Sequence, residues 1–151
     1  MKLNLGCGDD VRLGYVNIDM VPKTQDVRRG DFKKLSVSGI NENSCEEILA
    51  IDVIEFVKIT DIGACLEGWA KVLSSNGTLY IESLDYSYFG NLLAYEQVPI
   101  EHINQILFGS AMPLQGIYSL ATVESFLNQL GLNTVQKGFK DFKFYLQVRK
   151  S

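Results

Sequence analysis

Residues 46–82 constrain the fold more than any other segment, because they combine two strand patterns with a helix between them. The run EEILAIDVIEFV (46–57) is apolar without alternation, as in a strand buried on both faces of a parallel sheet. An amphipathic helix follows, and Thr78–Glu82 has the pattern of a second strand. This order predicts a βαβ unit with a right-handed crossover, and therefore a parallel sheet.

The helix of this unit has an apolar face that repeats at three- and four-residue steps. Its members are Ile62, Cys65, Leu66, Trp69, Val72 and Leu73. Thr60 or Asp61 is predicted to cap the start of the helix. Asn76-Gly77 is predicted to end it, with Gly77 in the left-handed conformation that glycine adopts readily.

Further elements are predicted on both sides of this unit. Strands are predicted at Leu3–Leu5, Tyr15–Asp19 and Asp26–Arg28, and helices at Pro99–Phe108 and Leu120–Leu130, the latter stopped by Gly131. Tyr86–Gln97 is predicted to be irregular and Gly109–Gly116 to be a loop. Phe142 to Val148 alternates between apolar and polar residues, which predicts a strand at the end of an antiparallel hairpin.

Composition indicates one globular α/β domain over residues 1–151. The 14 basic and 18 acidic residues give a net charge of −4, which argues against nucleic acid or an anionic membrane as a partner. With three cysteines in no paired spacing and a single histidine, we expect neither disulfides nor a metal site. The first residues lack the apolar core of a signal peptide, so we expect a cytoplasmic protein without a membrane span.

Two motifs follow the first two predicted strands, where ligands of parallel sheets bind. Gly6-Cys7-Gly8 allows a tight turn and lets a ligand approach the backbone, with Cys7 interpreted as a small packing residue. Asp19 ends the second strand, and a carboxylate there can accept hydrogen bonds from both hydroxyls of a ribose. Met20 beside it would lie against an adenine face. The two motifs therefore predict a nucleoside site.

A nicotinamide-dinucleotide oxidoreductase is the first competing hypothesis. Its fingerprint is Gly-x-Gly-x-x-Gly with an acidic residue about 20 positions further on. Here Val11 occupies the third glycine position, and Asp19 follows too soon. No full helix fits between Gly8 and Tyr15, so no helix N-terminus is predicted to receive a pyrophosphate. A nucleoside without phosphates suits the loop better.

The same residues resemble a known family. LNLGCG (3–8) and GYVNIDM (14–20) are similar to the first two motifs of class I S-adenosylmethionine-dependent methyltransferases, in particular small type 11-like members with a shortened first helix. The resemblance continues in order through GDFKKL (30–35), EEILAIDVIEFV (46–57), LEGWAKVLSSNGTLYIES (66–83) and SLATVESFLNQLGLNTV (119–135). It implies a single Rossmann-like, doubly wound sheet of seven strands, mostly parallel, with an antiparallel C-terminal strand.

The resemblance implies S-adenosylmethionine as the cofactor and a set of residues that bind it. That set is Gly6, Cys7, Gly8, Asp19, Met20, Asp31, Phe32, Asp52 and Val53. The glycines would pass the methionine part, Asp31 would accept from the adenine amino group, and Asp52 would face the amino-acid end. From the residues alone, Asp31 could instead make an Asx-turn, and Asp52 must lie at a strand end or have a partner.

The resemblance further implies methyl transfer to a small-molecule acceptor, mainly by alignment of the two reactants. Asp52, Asp85 or His102 would be the base if the acceptor were a hydroxyl. The interpretation of Glu55 stays open between a site role and a cap of the following turn. The alternative hypothesis is a binding or assembly module without catalysis, because Asp52 and Phe56 replace histidines often found in the fourth-strand motif. A homo-oligomer or a protein partner is open under either hypothesis.

Overall fold

The computed structural model describes residues 1–95, 98–109 and 112–151, and it shows a seven-stranded mixed sheet. The strands are β1 (Lys2–Leu5), β2 (Val16–Asp19), β3 (Val27–Arg29), β4 (Cys45–Ile51), β5 (Leu73–Leu84), β6 (Leu132–Lys140) and β7 (Lys143–Lys150). Their spatial order is β3-β2-β1-β4-β5-β7-β6. β1 to β5 pair in parallel, and β7 is antiparallel to both of its neighbours, which confirms the predicted fold class.

Four helices join these strands in the described part of the chain. They are α1 (Ile62–Val72), α2 (Tyr86–Ala94), α3 (Ile100–Phe108) and α4 (Leu120–Gln129). α4 ends next to Gly131, whose φ of 82° is the predicted stop signal. α1 begins after the N-cap residue Asp61, as predicted, although the Asp61 side chain makes no capping hydrogen bond.

Three local predictions are wrong, and they concern the extent of β4, the end of α1 and the segment Tyr86–Gln97. The run 46–57 is not strand throughout: β4 ends at Ile51, because Asp52 adopts a φ of 54°, and one turn of 3-10 helix follows at Ile54–Phe56. The predicted helix end at Asn76-Gly77 is wrong: α1 ends at Val72 and β5 begins at Leu73, and Asn76, not Gly77, takes the left-handed conformation within β5. Gly77 is required for space, since a Cβ there would lie 2.8 Å from the carbonyl oxygen of Cys45.

The segment predicted to be irregular, Tyr86–Gln97, forms α2 over Tyr86–Ala94, while Gln97 lies outside the described residues. Asp85 is the N-cap of this helix, and its Oδ1 accepts a hydrogen bond from the backbone N–H of Tyr88. The side chain of Phe89 on this helix is buried, and its ring contacts that of Phe142 edge to face. The N-cap is the sequence signal that identifies this helix.

The core lies on one face of the sheet. Successive side chains of a strand point to opposite faces, and Leu3, Leu5 and Leu146 belong to the face that α1 and α4 cover. The opposite face carries polar side chains such as Asn4, Tyr80 and Gln147, which lie in one row across β1, β5 and β7. The connections between β1, β2 and β3 contain no helix, which leaves this second face without helical cover there.

Candidate functional site

The candidate site lies at the carboxyl edge of the sheet, where β1 and β4 are neighbours and the strand order changes direction. Ligands of open α/β sheets bind at such a switch point. Gly6-Cys7-Gly8, the glycine loop, follows β1, and Asp52 follows β4. Asp19 ends β2 beside the glycine loop. The structure thus brings together residues that are up to 46 positions apart in sequence.

The glycine loop depends on conformations that favour glycine. Gly6 has a φ of 57° and Gly8 a φ of 51°, both in the left-handed region. A Cβ on Gly6 would lie 2.8 Å from Cγ2 of Val53, so the buried Val53 side chain packs directly on the backbone of the loop. A Cβ on Gly8 would meet no atom within 4 Å. The loop is therefore packed against Val53 at Gly6 and has open space beside Gly8.

Asp19 is held against the glycine loop by two hydrogen bonds. Its Oδ2 accepts from the backbone N–H of Gly8 at 2.9 Å, and its Oδ1 accepts from the N–H of Val21 at 2.8 Å. Each carboxylate oxygen has two lone pairs, so each retains acceptor capacity for a ligand hydroxyl. Met20 beside it is half-buried and packs against the core. These contacts fix the orientation of the predicted ribose acceptor.

Cys7 in the glycine loop is buried, and its N–H donates to the carbonyl of Ile18. Burial raises the pKa of the Cys7 thiol, and the charge of Asp19 acts in the same direction. A reactive cysteine needs the opposite shift, towards the thiolate. These observations support the interpretation of Cys7 as a packing residue.

Asp31 and Phe32, in the connection after β3, are occupied by structural contacts. Asp31 Oδ1 accepts from the N–H of Lys33 at 2.9 Å, which is the Asx-turn that was the alternative to adenine binding. The Phe32 ring lies in the core, and its carbonyl accepts from the Trp69 indole at 2.7 Å. Asp31 lines a cavity of about 800 Å³ between this connection and α1. Roles of Asp31 and Phe32 at an adenine stay predictions.

Asp52 meets both alternatives that the sequence left open, since it follows the end of β4 and has a partner. Its Oδ2 accepts from Nζ of Lys143 at 2.6 Å, and Lys143 also lies 3.6 Å from a carboxylate oxygen of Glu82. Burial acts to lower the pKa of Lys143, but the hydrogen bond to Asp52 and the neighbouring negative charges outweigh it and raise that pKa. The Asp52 side chain is 49% exposed, so it remains accessible to a ligand.

A smaller cavity, of about 330 Å³, adjoins Asp52. We call it the Glu55 cavity, and it is lined by Asp52, Glu55, Phe56, Leu84, His102, Ile106, Leu114, Phe142 and Lys143. His102 on α3 is exposed, and its ring lies 5.4 Å from that of Phe142, centre to centre. The structure therefore places two of the predicted bases, Asp52 and His102, at the same cavity.

Glu55 is the feature of this cavity that the sequence left undecided. It is 2% exposed, its Oε1 accepts from the N–H of Leu84 at 3.1 Å, and its Oε2 has no hydrogen-bond partner among the described residues. Burial raises the pKa of Glu55 to about 7, and the charge of Asp52 adds to this. The Ser83 hydroxyl acts weakly in the opposite direction, although its geometry falls short of a hydrogen bond. Glu55 therefore titrates near neutral pH.

Asp85, the third predicted base, is engaged in structural contacts. It is 1% exposed, its Oδ1 caps α2 through Tyr88, and its Oδ2 accepts from the N–H of Leu120 at 2.8 Å. The carboxylate thus joins the starts of α2 and α4. Its role as a base stays a prediction.

Two properties of the described ranges 1–95, 98–109 and 112–151 bear on the kind of site. Within them, no three His, Cys, Asp or Glu side chains come together as a metal site would require. None of their helices is long and apolar enough to cross a membrane.

Comparisons with known proteins add structural neighbours only. No family model matches the sequence, and no curated protein matches it. A methyltransferase from Methanosarcina mazei that depends on S-adenosylmethionine superposes with a TM-score of 0.70, at 12% identity, over 99% of this chain and 91% of its own. The magnesium protoporphyrin IX methyltransferase of Synechocystis PCC 6803 was solved with bound S-adenosylhomocysteine. It superposes with a TM-score of 0.69, at 12% identity, over 100% of this chain and 74% of its own.

A third neighbour, from Thermotoga maritima, is described as a methyltransferase that depends on S-adenosylmethionine and as a possible histamine N-methyltransferase. Its TM-score is 0.70 at 16% identity, over 99% of this chain and 82% of its own. The chain has the class I methyltransferase fold. At these identities the similarity establishes the fold, and the glycine loop and Asp19 then lie at the switch point of a class I methyltransferase sheet.

Proposed function

We propose that the protein is a methyltransferase that uses S-adenosylmethionine and acts on a small-molecule acceptor. The observation that carries this proposal is the contact between the Gly8 N–H and the Asp19 carboxylate, at the switch point of a sheet with this fold. That contact joins an open glycine turn to a carboxylate that keeps free acceptor capacity. A nucleoside needs both features, a close backbone approach and an acceptor for its ribose hydroxyls.

The residues present fit this cofactor. The space at Gly8 is open, so a ligand can lie against the backbone there, and Asp19 would accept from the ribose hydroxyls. Met20 would cover the adenine, and Asp52 would accept from the amino group at the other end, on its exposed side. The bound cofactor supplies an electrophilic methyl group on a sulfonium. The chain's own contribution is to hold an acceptor in line with that methyl, which can supply up to about 7–11 kcal/mol of the barrier reduction.

Calorimetric titration with S-adenosylmethionine and S-adenosylhomocysteine tests the proposal. We expect both ligands to bind, and Asp19→Asn to weaken binding about 10- to 100-fold, because an amide replaces one oxygen of a charged acceptor with a donor. Asp9→Asn is the matched control, since Asp9 lies near the same loop but pairs only with the exposed Lys23. Absence of heat at millimolar ligand with folded protein contradicts the proposal, as does an equal loss in both variants.

The alternative, a module that does not catalyse, makes a separate prediction. It requires binding of the cofactor without methyl transfer to any acceptor, or no binding. Mass spectrometry of methylated products, measured on the same protein preparation, distinguishes the two functions. A cytoplasmic location and a homo-oligomeric or protein partner stay predictions of the sequence.

A further inference from the structure

Carboxyl groups outnumber lysines in and beside the Glu55 cavity. Its acidic and basic lining residues are Asp52, Glu55, His102 and Lys143, and Glu82 lies outside the lining. Lys143 is shared between Asp52 and Glu82, at 2.6 and 3.6 Å, so this group of three carries a net negative charge. Glu55 adds a third carboxyl group, which no basic side chain contacts among the described residues. A ligand in this cavity therefore meets a site that favours positive charge over negative charge.

The remaining walls are apolar and partly aromatic. Phe56, Ile106, Leu114 and Phe142 line the cavity, and Leu84 completes that surface. Aromatic faces attract an ammonium group, and the interaction strengthens when the group is partly removed from water. The volume of about 330 Å³ is at the low end of ligand cavities, which suits a small molecule.

The two carboxyl groups that line the cavity differ in their access to donors. Asp52 Oδ2 accepts from Lys143, and the Asp52 side chain is 49% exposed. Glu55 Oε2 is buried, and none of the residues that the structure describes donates to it, which is costly unless a ligand supplies a donor. An ammonium group has up to three N–H donors and is the type of group that satisfies such an oxygen.

We infer that the acceptor is a small primary or secondary amine that binds in the Glu55 cavity, with its apolar body against Phe56 and Phe142 and its nitrogen beside Glu55. This inference rests on the proposed function for its methyl donor. A hydroxyl or carboxylate acceptor would leave the negative charge of the cavity without a counterpart. The structure thus favours N-methylation over O-methylation.

The chemistry requires a proton acceptor, and Glu55 is the group that fits. The bound ammonium gives one proton to the Glu55 carboxylate and becomes a neutral amine with a free lone pair. With S-adenosylmethionine bound, that lone pair would form the new carbon–nitrogen bond to the methyl group as the carbon–sulfur bond breaks, and the sulfur would keep the bonding electrons. The product is again an ammonium, and the proton on Glu55 passes to water.

The pH dependence follows from the groups around Glu55. Asp52 after β4, His102 on α3 and Lys143 on β7 share its cavity, and Ser83 on β5 and Tyr118 before α4 interact with it. Glu82 on β5 lies outside the cavity lining, beside Lys143. Burial dominates and sets a pKa of about 7 for Glu55, so its carboxylate becomes more populated between pH 6 and pH 8. With this pKa, the ionised fraction of Glu55 rises about tenfold from pH 6 to pH 8, whereas an amine of ordinary basicity stays charged throughout. Amine affinity should therefore rise about tenfold over this range.

Calorimetry with three matched probes tests the inference. The probes are 2-phenylethylamine, 2-phenylethanol and 3-phenylpropionate, each titrated at pH 8 with and without S-adenosylhomocysteine. We expect the amine to bind at least tenfold more tightly than the other two. Equal or tighter binding of the alcohol or the acid overturns the inference. If S-adenosylhomocysteine binds and the amine shows no preference, only this inference fails; if S-adenosylhomocysteine does not bind, the proposed function fails.

Two variants test the named carboxylate and charge. Glu55→Gln should reduce amine affinity about tenfold at pH 8 and remove its rise between pH 6 and pH 8, whereas Glu124→Gln, on α4 and paired with Lys137, should change neither. Lys143→Met should strengthen amine binding severalfold, because it leaves Asp52 without its cation. Weaker amine binding in Lys143→Met, or an unchanged pH profile in Glu55→Gln, contradicts the inference.

Discussion

The glycine loop and the Glu55 cavity lie at the same edge of the sheet but are built in different ways. In the glycine loop, backbone conformation and one packing contact with Val53 decide the shape. In the Glu55 cavity, side chains from the segment after β4, from β5, from α3 and from β7 converge, and one buried oxygen of Glu55 has no partner among the described residues. The first region should therefore be sensitive to added volume, and the second to changes of charge.

Gly6→Ala should have the largest effect on stability. The left-handed φ costs an alanine about 1–2 kcal/mol, and the 2.8 Å approach to Val53 adds about 1–3 kcal/mol of overpacking. Gly14→Ala is the control, since Gly14 has a φ of 82° but no atom within 4 Å of the added Cβ, so only the conformational cost applies. Urea denaturation measures both free energies of unfolding. Equal losses would contradict the packing of Val53 on the loop.

Asp85→Ala should cost about 2–4 kcal/mol of unfolding free energy. It removes the N-cap of α2, worth about 1 kcal/mol, and leaves the buried Leu120 N–H without its acceptor, worth about 1–3 kcal/mol more. Asp61→Ala is the matched control, because Asp61 occupies the N-cap position of α1 without a capping bond. Its loss should stay below about 0.5 kcal/mol. A comparable loss in both variants would exclude the joining role of Asp85.

Glu55 should make stability fall as pH rises. Its pKa is about 7 in the folded chain against an ordinary value of 4.5, so the folded state binds more protons between these values. Stability is then fully present below pH 4.5 and is lost as pH rises through 7, by up to about 3 kcal/mol. Thermal unfolding in Glu55→Gln should lack this decline between pH 5 and pH 8. If Glu55→Gln shows the same fall in stability, a titratable group other than Glu55 causes it.

Lys143→Met should have the smallest effect on stability, about 1 kcal/mol or less. Lys143 and Asp52 are both partly exposed, and ion pairs of this kind contribute little. The difference in unfolding free energy between the wild type and Lys143→Met should become smaller at an ionic strength of 1 M, because salt screens the ion pair. Denaturation curves at low and high salt measure both quantities. A loss of several kcal/mol would show that the pair is a structural element of the cavity.

The same contrast explains which parts of the site can be predicted from the sequence. Gly6, Gly8 and Asp19 are recognisable because a turn after one strand and an acid after the next are local patterns, and parallel pairing of β1 and β2 brings them together. The alternating tail likewise predicts β7, since Phe144, Leu146 and Val148 all face the core.

The Glu55 cavity cannot be predicted in this way. Lys143 lies 91 positions from Asp52, and no local pattern links them. The burial of Glu55 is decided by residues that come from other elements, including Leu84 and the backbone N–H groups of Gln115 and Gly116, which donate to its carbonyl. The end of β4 is set by the positive φ of Asp52, a conformation that the apolar run around it does not suggest.

Amide NMR of the protein, titrated first with S-adenosylhomocysteine and then with 2-phenylethylamine, tests the central claim most directly. The first ligand should shift the amides of Gly6, Gly8 and Met20, and the second those of Leu84 and Phe142. This order places the cofactor at the glycine loop and the acceptor in the Glu55 cavity. Cofactor shifts confined to other parts of the sheet, or none at millimolar ligand, would contradict the assignment of this edge as a methyltransferase site.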